Sequence, residues 1–266
     1  MSQAAERATM PKGTNSVLDR RTVFSGNRNL VGVVRPGDAL LDVGCGSGSM
    51  TFGMAELTGP SGTVTGIDAS EHLIEIARKN FSDHDNVHFE VADINSYVPV
   101  KLFDVVSAAR VLQWLANPHE VLGKMVSLVK PGGLLTILDY NHTKIHWEPE
   151  VPESMRMFYD AFLKWRQDAG MNNGVADKLQ EMFEALGLTD ITVTDFSEVS
   201  DKDSLDFAGD ISIWKKVAET RGKQLVADGY VTEEQRLAAI ADYDHWIKSS
   251  ARSMKMYLLA VTGRRP

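Results

Sequence analysis

Three glycines spaced two residues apart, Gly44, Gly46 and Gly48, follow directly after the apolar run Leu40–Val43. Glycine lets the backbone approach a ligand closely, where any Cβ atom would collide. The residues of Met50–Leu57 can form a helix whose N-terminus faces this turn. A strand, a glycine turn and a helix in this order form a nucleotide-type site, because free backbone N–H groups and the positive end of the helix point at the ligand.

Acidic residues stand near the ends of the first three predicted strands. Asp42 lies two residues before the first glycine, Asp68 ends the second strand, and Asp93 follows the third. A carboxylate at the end of the second strand of a doubly wound sheet accepts both hydroxyls of a ribose. A dinucleotide fingerprint has glycine at its sixth position, whereas this chain has Ser49 there. The pattern therefore indicates a ribose-containing ligand but departs from the dinucleotide motif.

Taken together, the motifs resemble those of class I S-adenosylmethionine-dependent methyltransferases of the small-molecule type, which include the quinone-biosynthesis C-methyltransferases. Between residues 37 and 141 the matching stretches are, in order, DVGCGSG, GIDAS, ADI, FDVVSAARVLQWL and LVKPGGLLTILDY. Five motifs in the right order are a far stronger signal than the glycine turn alone. The resemblance implies an α/β fold with a doubly wound, mostly parallel, seven-stranded Rossmann-like sheet. It also implies methyl transfer from S-adenosylmethionine to an O, N or C atom of a small molecule.

The resemblance assigns the cofactor contacts. It places the glycine turn under the methionine and ribose, Asp68 on the ribose hydroxyls and Asp93 on the adenine amino group. Ile94 would lie against the adenine face, and Arg110 would border the methionine end. The complete expected set is Asp42, Gly44, Cys45, Gly46, Gly48, Asp68, Ala69, Asp93, Ile94, Arg110 and Val111.

Several of these residues also have a structural interpretation that the sequence leaves open. Asp42 could be a structural acid behind the turn, and Asp68 could cap the helix that follows it. Asp93 could be a solvated loop acid, and Arg110 could pair with a nearby acid. Cys45 is the sole cysteine, and at this place it is a small side chain that fits the turn rather than a nucleophile.

His142 is the candidate catalytic residue. An oxygen or carbon acceptor usually has to lose a proton, and histidine is the natural base near neutral pH. His142 and His146 follow the predicted fifth strand, where the C-terminal edge of the sheet meets the expected substrate cleft. A structural or surface histidine is the commoner role and stays the alternative for both. Because Trp147–Pro149 makes a regular helix doubtful here, no metal site is expected.

Aromatic residues near the expected cleft are candidates for an apolar acceptor pocket. The strongest of them is Trp114, just past the fourth strand, since an aromatic stripe on a helix more often belongs to the core. The candidates are Trp114, Tyr140, Trp147 and Tyr159.

Composition restricts the partners. The chain has 266 residues, a formal net charge of −8 and one cysteine, which excludes an internal disulfide framework. The acidic balance argues against a nucleic-acid substrate, and residues 108–111 read AARV where base-amino methyltransferases have an Asn-Pro-Pro-Tyr type motif. The polar start and the lack of a long apolar run predict a cytoplasmic protein without a membrane partner. The oligomeric state stays open, with a homodimer among the options.

The chain divides into four predicted regions. A polar and then helical cap covers residues 1–36, and the cofactor-binding Rossmann-like core covers 37–147. A helical lid is expected at 148–174. Residues 175–266 complete the core and carry a helical insertion at about 203–253, before the last strand.

Periodicity places the individual elements. Strands are predicted near 39–43, 63–67, 87–91, 103–108, 134–139, 188–196 and 256–262. Helices are predicted near 48–57, 71–80, 118–129, 152–170 and 179–186.

The insertion is predicted to be helical, since a structureless loop of about 50 residues would be unusual in a compact domain. Leu205–Ala218 fits one amphipathic helix, and Thr232–Gln235 is a capping box that opens another. The apolar face predicted for the second helix contains Leu237, Ile240, Tyr243, Asp244 and Ile247. These helices could form part of a lid, or they could pack on the sheet or on another subunit.

Two other classes of function remain alternatives. A nicotinamide-dependent Rossmann oxidoreductase is disfavoured by Ser49 and by the later motifs. A protein that binds the cofactor without catalysing a reaction stays open, because the sequence has no obvious catalytic base.

Overall fold

The computed structural model describes residues 3–9, 21–204 and 206–266. A seven-stranded sheet forms the centre of the fold, in the order β3-β2-β1-β4-β5-β10-β7. Its strands are β1 (Ala39–Val43), β2 (Thr63–Asp68), β3 (Val87–Val91), β4 (Phe103–Ala109), β5 (Val129–Tyr140), β7 (Thr189–Asp195) and β10 (Leu258–Arg264). Strands β1 to β5 pair in parallel, whereas β10 runs antiparallel to both β5 and β7. The predicted mostly parallel, doubly wound sheet is confirmed.

The direction of β10 separates this fold from the dinucleotide-binding fold. That fold has the strand order 3-2-1-4-5-6 in an open, mostly parallel sheet. Here the last strand of the chain enters between β5 and β7 and runs against them. The topology therefore disfavours the nicotinamide-dependent alternative.

The predicted helices around the sheet begin and end close to their expected residues. Ser70 caps the helix that follows β2, where its Oγ accepts the N–H of Leu73 at 3.4 Å. Pro118 stands at the first turn of the helix that follows β4. The helices are α1 (Gln3–Ala8), α2 (Val23–Gly26), α3 (Ser49–Thr58), α4 (Glu71–Asn80), α5 (Pro118–Leu128), α6 (Glu153–Asp168) and α7 (Leu179–Ala185).

The N-terminal segment covers one side of the sheet. A capping box between Thr22 and Ser25 holds the short helix α2. Val23 is fully buried, and a Cβ atom on Gly53 of α3 would lie 2.7 Å from its Cγ1. The part of the predicted cap that covers residues 1–2 and 10–20 lies outside the described residues.

A second, three-stranded sheet was not predicted. It pairs β6 (His146–Glu148), β9 (Ser253–Met256) and β8 (Glu198–Asp201), with β9 in the middle and both pairings antiparallel. The last predicted strand, 256–262, is consequently two strands that separate at Tyr257 and enter different sheets. A run of alternating apolar residues does not reveal where a strand changes its partner.

The insertion is helical, but its predicted division was wrong. The single helix expected at 205–218 is two short helices, α8 (Phe207–Ile211) and α9 (Ile213–Glu219), and Leu205 lies outside the described residues. The chain continues as α10 (Gly222–Ala227) and α11 (Glu233–Ser249). The capping box at Thr232 is confirmed, because its Oγ1 accepts the N–H of Gln235.

The apolar face predicted for α11 was also partly wrong. The side chains that α11 buries are Arg236, Ala239, Tyr243 and Trp246, and Leu237 is 50 % exposed. Arg236 is buried because its guanidinium donates to Glu233 and to the carbonyl oxygen of Ala218. A hydrophobicity pattern misses this face, since it counts an arginine as a surface residue.

The insertion packs on the predicted lid helix α6. Trp214 of α9 meets Tyr159 of α6 edge-on, with ring centroids 4.5 Å apart. Tyr243 of α11 and Trp147 of β6 join the same cluster, where Nε1 of Trp147 donates to the Tyr243 hydroxyl at 3.2 Å. No helix in the described part of the chain is long and apolar enough to span a membrane.

Candidate cofactor and acceptor site

The glycine turn after β1 adopts a conformation that favours glycine at three positions. Gly44, Gly46 and Gly48 have φ angles of 74°, 58° and 85°. A Cβ atom on Gly44 would lie 2.5 Å from Cγ2 of Val111, and one on Gly48 would lie 2.7 Å from Cζ of Phe89. The turn therefore packs directly against the end of β4 and against β3, which leaves no space for side chains at these two positions.

Asp42 lies behind the turn. It is buried, and its Oδ2 accepts the hydroxyl of Thr51 in α3 at 2.6 Å. Burial raises the pKa of Asp42 to about 6. This contact ties β1 to the helix that begins at the turn, which supports the structural interpretation of Asp42.

Asp68 holds the turn from the neighbouring strand. Its Oδ2 accepts the N–H of Gly46 at 3.0 Å, and its Oδ1 accepts the N–H of Ser70 at 2.8 Å. Burial raises the pKa of this carboxyl group. Each oxygen keeps one lone pair for a further donor, so the expected ribose contact is compatible with both bonds. Ala69, the next residue, is exposed.

The third acid is the most solvated of the three. Asp93 is exposed, and its Oδ1 accepts both the N–H and the side-chain amide of Asn95 at 2.9 Å. Ile94 is buried and belongs to the apolar cluster on one side of the sheet. Their adenine contacts stay a prediction.

Cys45 fills a space that a glycine on β2 leaves. A Cβ atom on Gly66 would lie 3.0 Å from the Cys45 sulfur. Burial, reinforced by Asp42 and Asp68, raises the pKa of the thiol well above its ordinary value. This position agrees with a packing role rather than a nucleophile.

Arg110 follows β4 and joins three separate segments of the site. It has a φ angle of 62°, which is uncommon outside glycine and frequent at functional sites. Its Nε donates to the Tyr140 hydroxyl at 2.9 Å and its Nη1 to the carbonyl oxygen of Gly26 at 2.6 Å. Its Nη2 pairs with Glu198 of β8 at 2.5 Å.

Glu198 is a site residue that sequence reasoning missed. Besides its pair with Arg110, it accepts the Tyr140 hydroxyl at 2.6 Å. Although burial works in the opposite direction, Arg110 and Arg21 hold the pKa of Glu198 below its usual value. For Arg110, burial alone would lower the pKa, but Tyr140 and Glu198 raise it above its ordinary value. The pair is therefore ionised at neutral pH.

His142 belongs to a buried network behind Tyr140. Its Nε2 lies 2.6 Å from Oε1 of Gln113, which also accepts Nη1 of Arg166 at 3.3 Å. The amide nitrogen of Gln113 donates to the carbonyl oxygen of Arg110 at 3.1 Å, and this bond fixes which end of the amide faces His142. Nε2 of His142 must then carry the hydrogen, so Nδ1 is the unprotonated nitrogen of the neutral ring.

Two effects keep this ring neutral. Burial, assisted by the nearby Arg166 guanidinium, lowers the pKa of His142 well below 6.5. Nδ1 makes no hydrogen bond within the described residues. Aromatic rings surround the imidazole, with centroids 5.3 Å away for Tyr140, 5.9 Å for Trp214 and 6.1 Å for Phe162. His142 is therefore a neutral, desolvated acceptor.

The predicted acceptor contacts fall into two groups. Trp114 and Tyr140 lie beside the His142 network, and the guanidinium carbons of Arg166 and Arg221 lie 4.7 and 4.4 Å from the centroid of the Trp114 ring. Trp147 and Tyr159 are each 1 % exposed, and the Tyr159 hydroxyl donates to the carbonyl oxygen of His142. These last two offer no free surface, so they position other residues.

A cavity of about 620 Å³ opens beside Arg110. Of the predicted site residues, Arg110 alone among those described lines it. Its charged lining was missed in the sequence, since the residues come from α2 and its flanks, from β8 and from the insertion. The charged side chains are Arg21, Arg28, Arg110, Lys216, Glu198 and Asp210.

Within residues 3–9, 21–204 and 206–266, no three His, Cys, Asp or Glu side chains are grouped so that they could hold a metal ion.

The sheet with its antiparallel β10, the glycine turn after β1 and the acid after β2 define a class I S-adenosylmethionine-dependent methyltransferase fold. A profile of the methyltransferase domain family matches residues 35–187, which is more than half of the chain. The protein belongs to this family, and the resemblance that its motifs indicated is confirmed.

Curated relatives carry two different methyltransferase names. A malonyl-[acyl-carrier protein] O-methyltransferase of Halalkalibacterium halodurans is 40 % identical over 101 residues, which cover 36 % of this chain and 37 % of that protein. A demethylmenaquinone methyltransferase of the same organism is 28 % identical over 179 residues, covering 62 % of this chain and 73 % of that protein. The alignment with the first of them therefore spans little more than a third of its length.

A solved structure shows the same fold at low identity. Phosphoethanolamine N-methyltransferase 2 of Haemonchus contortus, in complex with phosphomonomethylethanolamine and S-adenosylhomocysteine, aligns with a TM-score of 0.58 and 18 % identity. The alignment covers 97 % of this chain and 54 % of that one.

Proposed function

We propose that this protein transfers the methyl group of S-adenosylmethionine to an O, N or C atom of a small molecule. The observation that carries the proposal is the glycine turn, which Asp68 ties to β2 through the N–H of Gly46. The turn packs against Val111 at the end of β4. A binding surface for a nucleoside and the residues after β4 thus lie side by side.

The residues of this turn suit the cofactor. Gly44, Gly46 and Gly48 would contact its methionine and ribose, and Asp68 has lone pairs left for the ribose hydroxyls. Asp93 and Ile94 would contact the adenine. When bound, the cofactor would supply a methyl group on a sulfonium sulfur that keeps the bonding electron pair as the methyl group leaves.

His142 would hold the proton that the acceptor loses. Its neutral ring has an unprotonated Nδ1, because Nε2 donates its hydrogen to Oε1 of Gln113 at 2.6 Å. The lowered pKa keeps the His142 ring unprotonated at neutral pH, as a general base must be. The same lowered pKa makes the ring a weaker base than an exposed histidine, so it suits an acceptor whose own proton is acidic. Gln113 and Arg166 are positioning residues, since they hold the ring through Nε2.

Helix α6 and the insertion would exclude water from the reaction. Phe162 of α6 and Trp214 of α9 pack against the His142 ring. Positioning in a water-excluded site can supply about 7–11 kcal/mol of the barrier reduction in favourable cases. The lid role therefore falls on both segments together, while residues of the insertion line the cavity.

The relatives leave the acceptor atom open. One is named for O-methylation and another for the methylation of demethylmenaquinone. The identity with the second is 28 %, which is too low to carry a substrate across.

Transfer of labelled methyl from S-adenosylmethionine to a panel of phenols, carboxylic acids, amines and quinols tests the proposal. We expect labelled product from at least one acceptor class with the wild-type protein. His142→Gln should lower turnover at least about tenfold and leave the affinity for S-adenosylhomocysteine unchanged. Tight cofactor binding with no transfer to any acceptor would favour the non-catalytic binding protein instead.

A further inference from the structure

The cavity beside Arg110 is separate from the expected nucleoside site. It lies between α2, the ends of β5 and β10, the small sheet and the helices α8 and α9. None of the described residues of the glycine turn, nor Asp68 or Asp93, lines it. Arg110 lines the cavity, and its neighbour Val111 packs against Gly44 of the turn. A molecule in this cavity would therefore lie next to the cofactor rather than in its place.

One wall of the cavity is apolar. Its side chains come from β5, from the β7–β8 connection, from α9 and from β9 and β10. They are Leu138, Phe196, Ile213, Met254, Met256 and Leu258. A volume of about 620 Å³ is in the range of small-molecule sites. The wall suits a hydrocarbon or aromatic body.

The charged side chains that line the cavity have an excess of positive charge. Among the described residues four cations and two carboxylates line the cavity, and Glu198 is already bound to Arg110 and Tyr140. Asp210 is exposed, and it makes no ion pair in the described part of the chain. Arg28 is exposed at the mouth, over the ring of Phe196.

Arg21 is the more buried of the two cavity arginines that make no ion pair within the described residues. Within the described residues its guanidinium makes one hydrogen bond, from Nη2 to the Tyr140 hydroxyl at 3.3 Å. Arginine has five donors in a fork that matches carboxylate and phosphate groups. Burial, together with the neighbouring Arg110, lowers the pKa of Arg21. Among the described residues four of its five donors are unused, and Arg110 lies beside it, so this guanidinium suits an anionic group.

We propose that the methyl acceptor is an apolar acid whose carboxylate or phosphate group binds to Arg21. Lys216 of α9 and Arg28 add positive charge near the exposed part of the cavity, and its apolar side chains hold the body of the acceptor.

His142 does not line the cavity, but its ring lies against Tyr140, whose hydroxyl accepts from both Arg21 and Arg110. The acceptor would therefore extend past Tyr140 to lose its proton to His142. This inference rests on the proposed methyltransferase function, since it names the substrate class of the same site.

Binding of matched probes to the protein saturated with S-adenosylhomocysteine tests this inference. The probes are biphenyl-4-carboxylate, biphenyl-4-yl phosphate and the neutral biphenyl-4-carboxamide, titrated by calorimetry. We expect at least one of the two acids to bind about tenfold or more tightly than the amide. The tighter acid identifies the acidic group. Equal affinity for the amide and both acids would overturn the inference.

Variants locate the bound group. Arg21→Gln and Lys216→Gln should each weaken the acid at least about fivefold and leave the amide unchanged. Lys223→Gln on α10, which does not line the cavity, is the matched control and should behave as wild type. Lys216 has an exposed ammonium group near Glu219, so its variant keeps the test valid if Arg21→Gln fails to fold.

Two results would separate the possible failures. If Arg21→Gln weakens S-adenosylhomocysteine but not the acid, the anion is the carboxylate of the cofactor itself and the inference is wrong. If the wild-type protein does not bind S-adenosylhomocysteine at all, the proposed function fails first.

Discussion

Nε2 of His142 lies 2.6 Å from Oε1 of Gln113, and this contact determines which nitrogen of the imidazole is free. Gln113 cannot turn its amide around without losing its bond to the carbonyl oxygen of Arg110. Arg166 donates to the same Oε1 and to the carbonyl oxygen of Gln113. The tautomer of His142 is therefore set by residues of α6 and of the segment that follows β4, far from it in the sequence.

The low pKa of His142 makes the stability of the fold depend on pH. The unfolded chain binds a proton at this residue below about pH 6.5, whereas the folded chain does so only at much lower pH. The stabilisation is therefore complete above pH 6.5 and is lost as the pH falls towards the folded pKa. Between pH 7.5 and 5.5 this loss should amount to about 1 kcal/mol.

His142→Gln removes that contribution and keeps a donor for Gln113. Denaturant unfolding at pH 7.5 and 5.5 should show a smaller loss of stability for His142→Gln than for the wild type, by about 1 kcal/mol. Asp42 and Asp139, whose pKa burial raises to about 6, act in the opposite direction but equally in both proteins. Identical pH dependence would mean that His142 titrates normally.

The glycine turn should tolerate no methyl group at Gly48. Alanine there would be strained at a φ angle of 85° and would collide with Phe89. We expect Gly48→Ala to lower the free energy of unfolding by about 2–5 kcal/mol, as the sum of backbone strain and overpacking.

Gly187 provides the matched control. It has a φ angle of 75°, but a Cβ atom would meet nothing within 4 Å. Gly187→Ala should therefore cost only the backbone strain, about 1–2 kcal/mol. Equal losses in the two variants, measured by denaturant unfolding, would show that the contact with Phe89 is not tight.

Cys45 should be inert in the folded protein. It is buried and its pKa is raised well above the ordinary value, so little thiolate is present at pH 8. A chromogenic disulfide reagent should react at least about 100-fold more slowly with the native protein than with the protein unfolded in guanidinium. Rapid reaction of one thiol in the native state would return Cys45 to the candidates for a nucleophile.

The regular part of the fold could be predicted because its signals are local. Apolar runs gave β1 to β4 to within a residue or so at each end, and the helix predicted at 71–80 matches α4. The glycines at 44, 46 and 48 indicated the turn, since a positive φ angle or a tight contact requires them there. Family motifs then identified the class of fold.

The rest depends on contacts between distant segments. Glu198 meets Arg110 across 88 positions of the chain, and nothing near either residue indicates this pair. The face of α11 was misjudged because Arg236 is buried through hydrogen bonds. The cavity likewise combines α2, β8 and the insertion, so its charge could not be read from any single stretch.

Titration of the purified protein with S-adenosylhomocysteine and with NAD, by calorimetry, tests the central claim most directly. Micromolar binding of S-adenosylhomocysteine and no heat with NAD are expected. Asp68→Ala should weaken the first about 10–100-fold, because hydrogen bonds to a charged group contribute about 1.5–3 kcal/mol, while Asp83→Ala on the surface should bind as wild type. Binding of NAD alone, or an affinity that Asp68→Ala leaves unchanged, would contradict the assignment of this site.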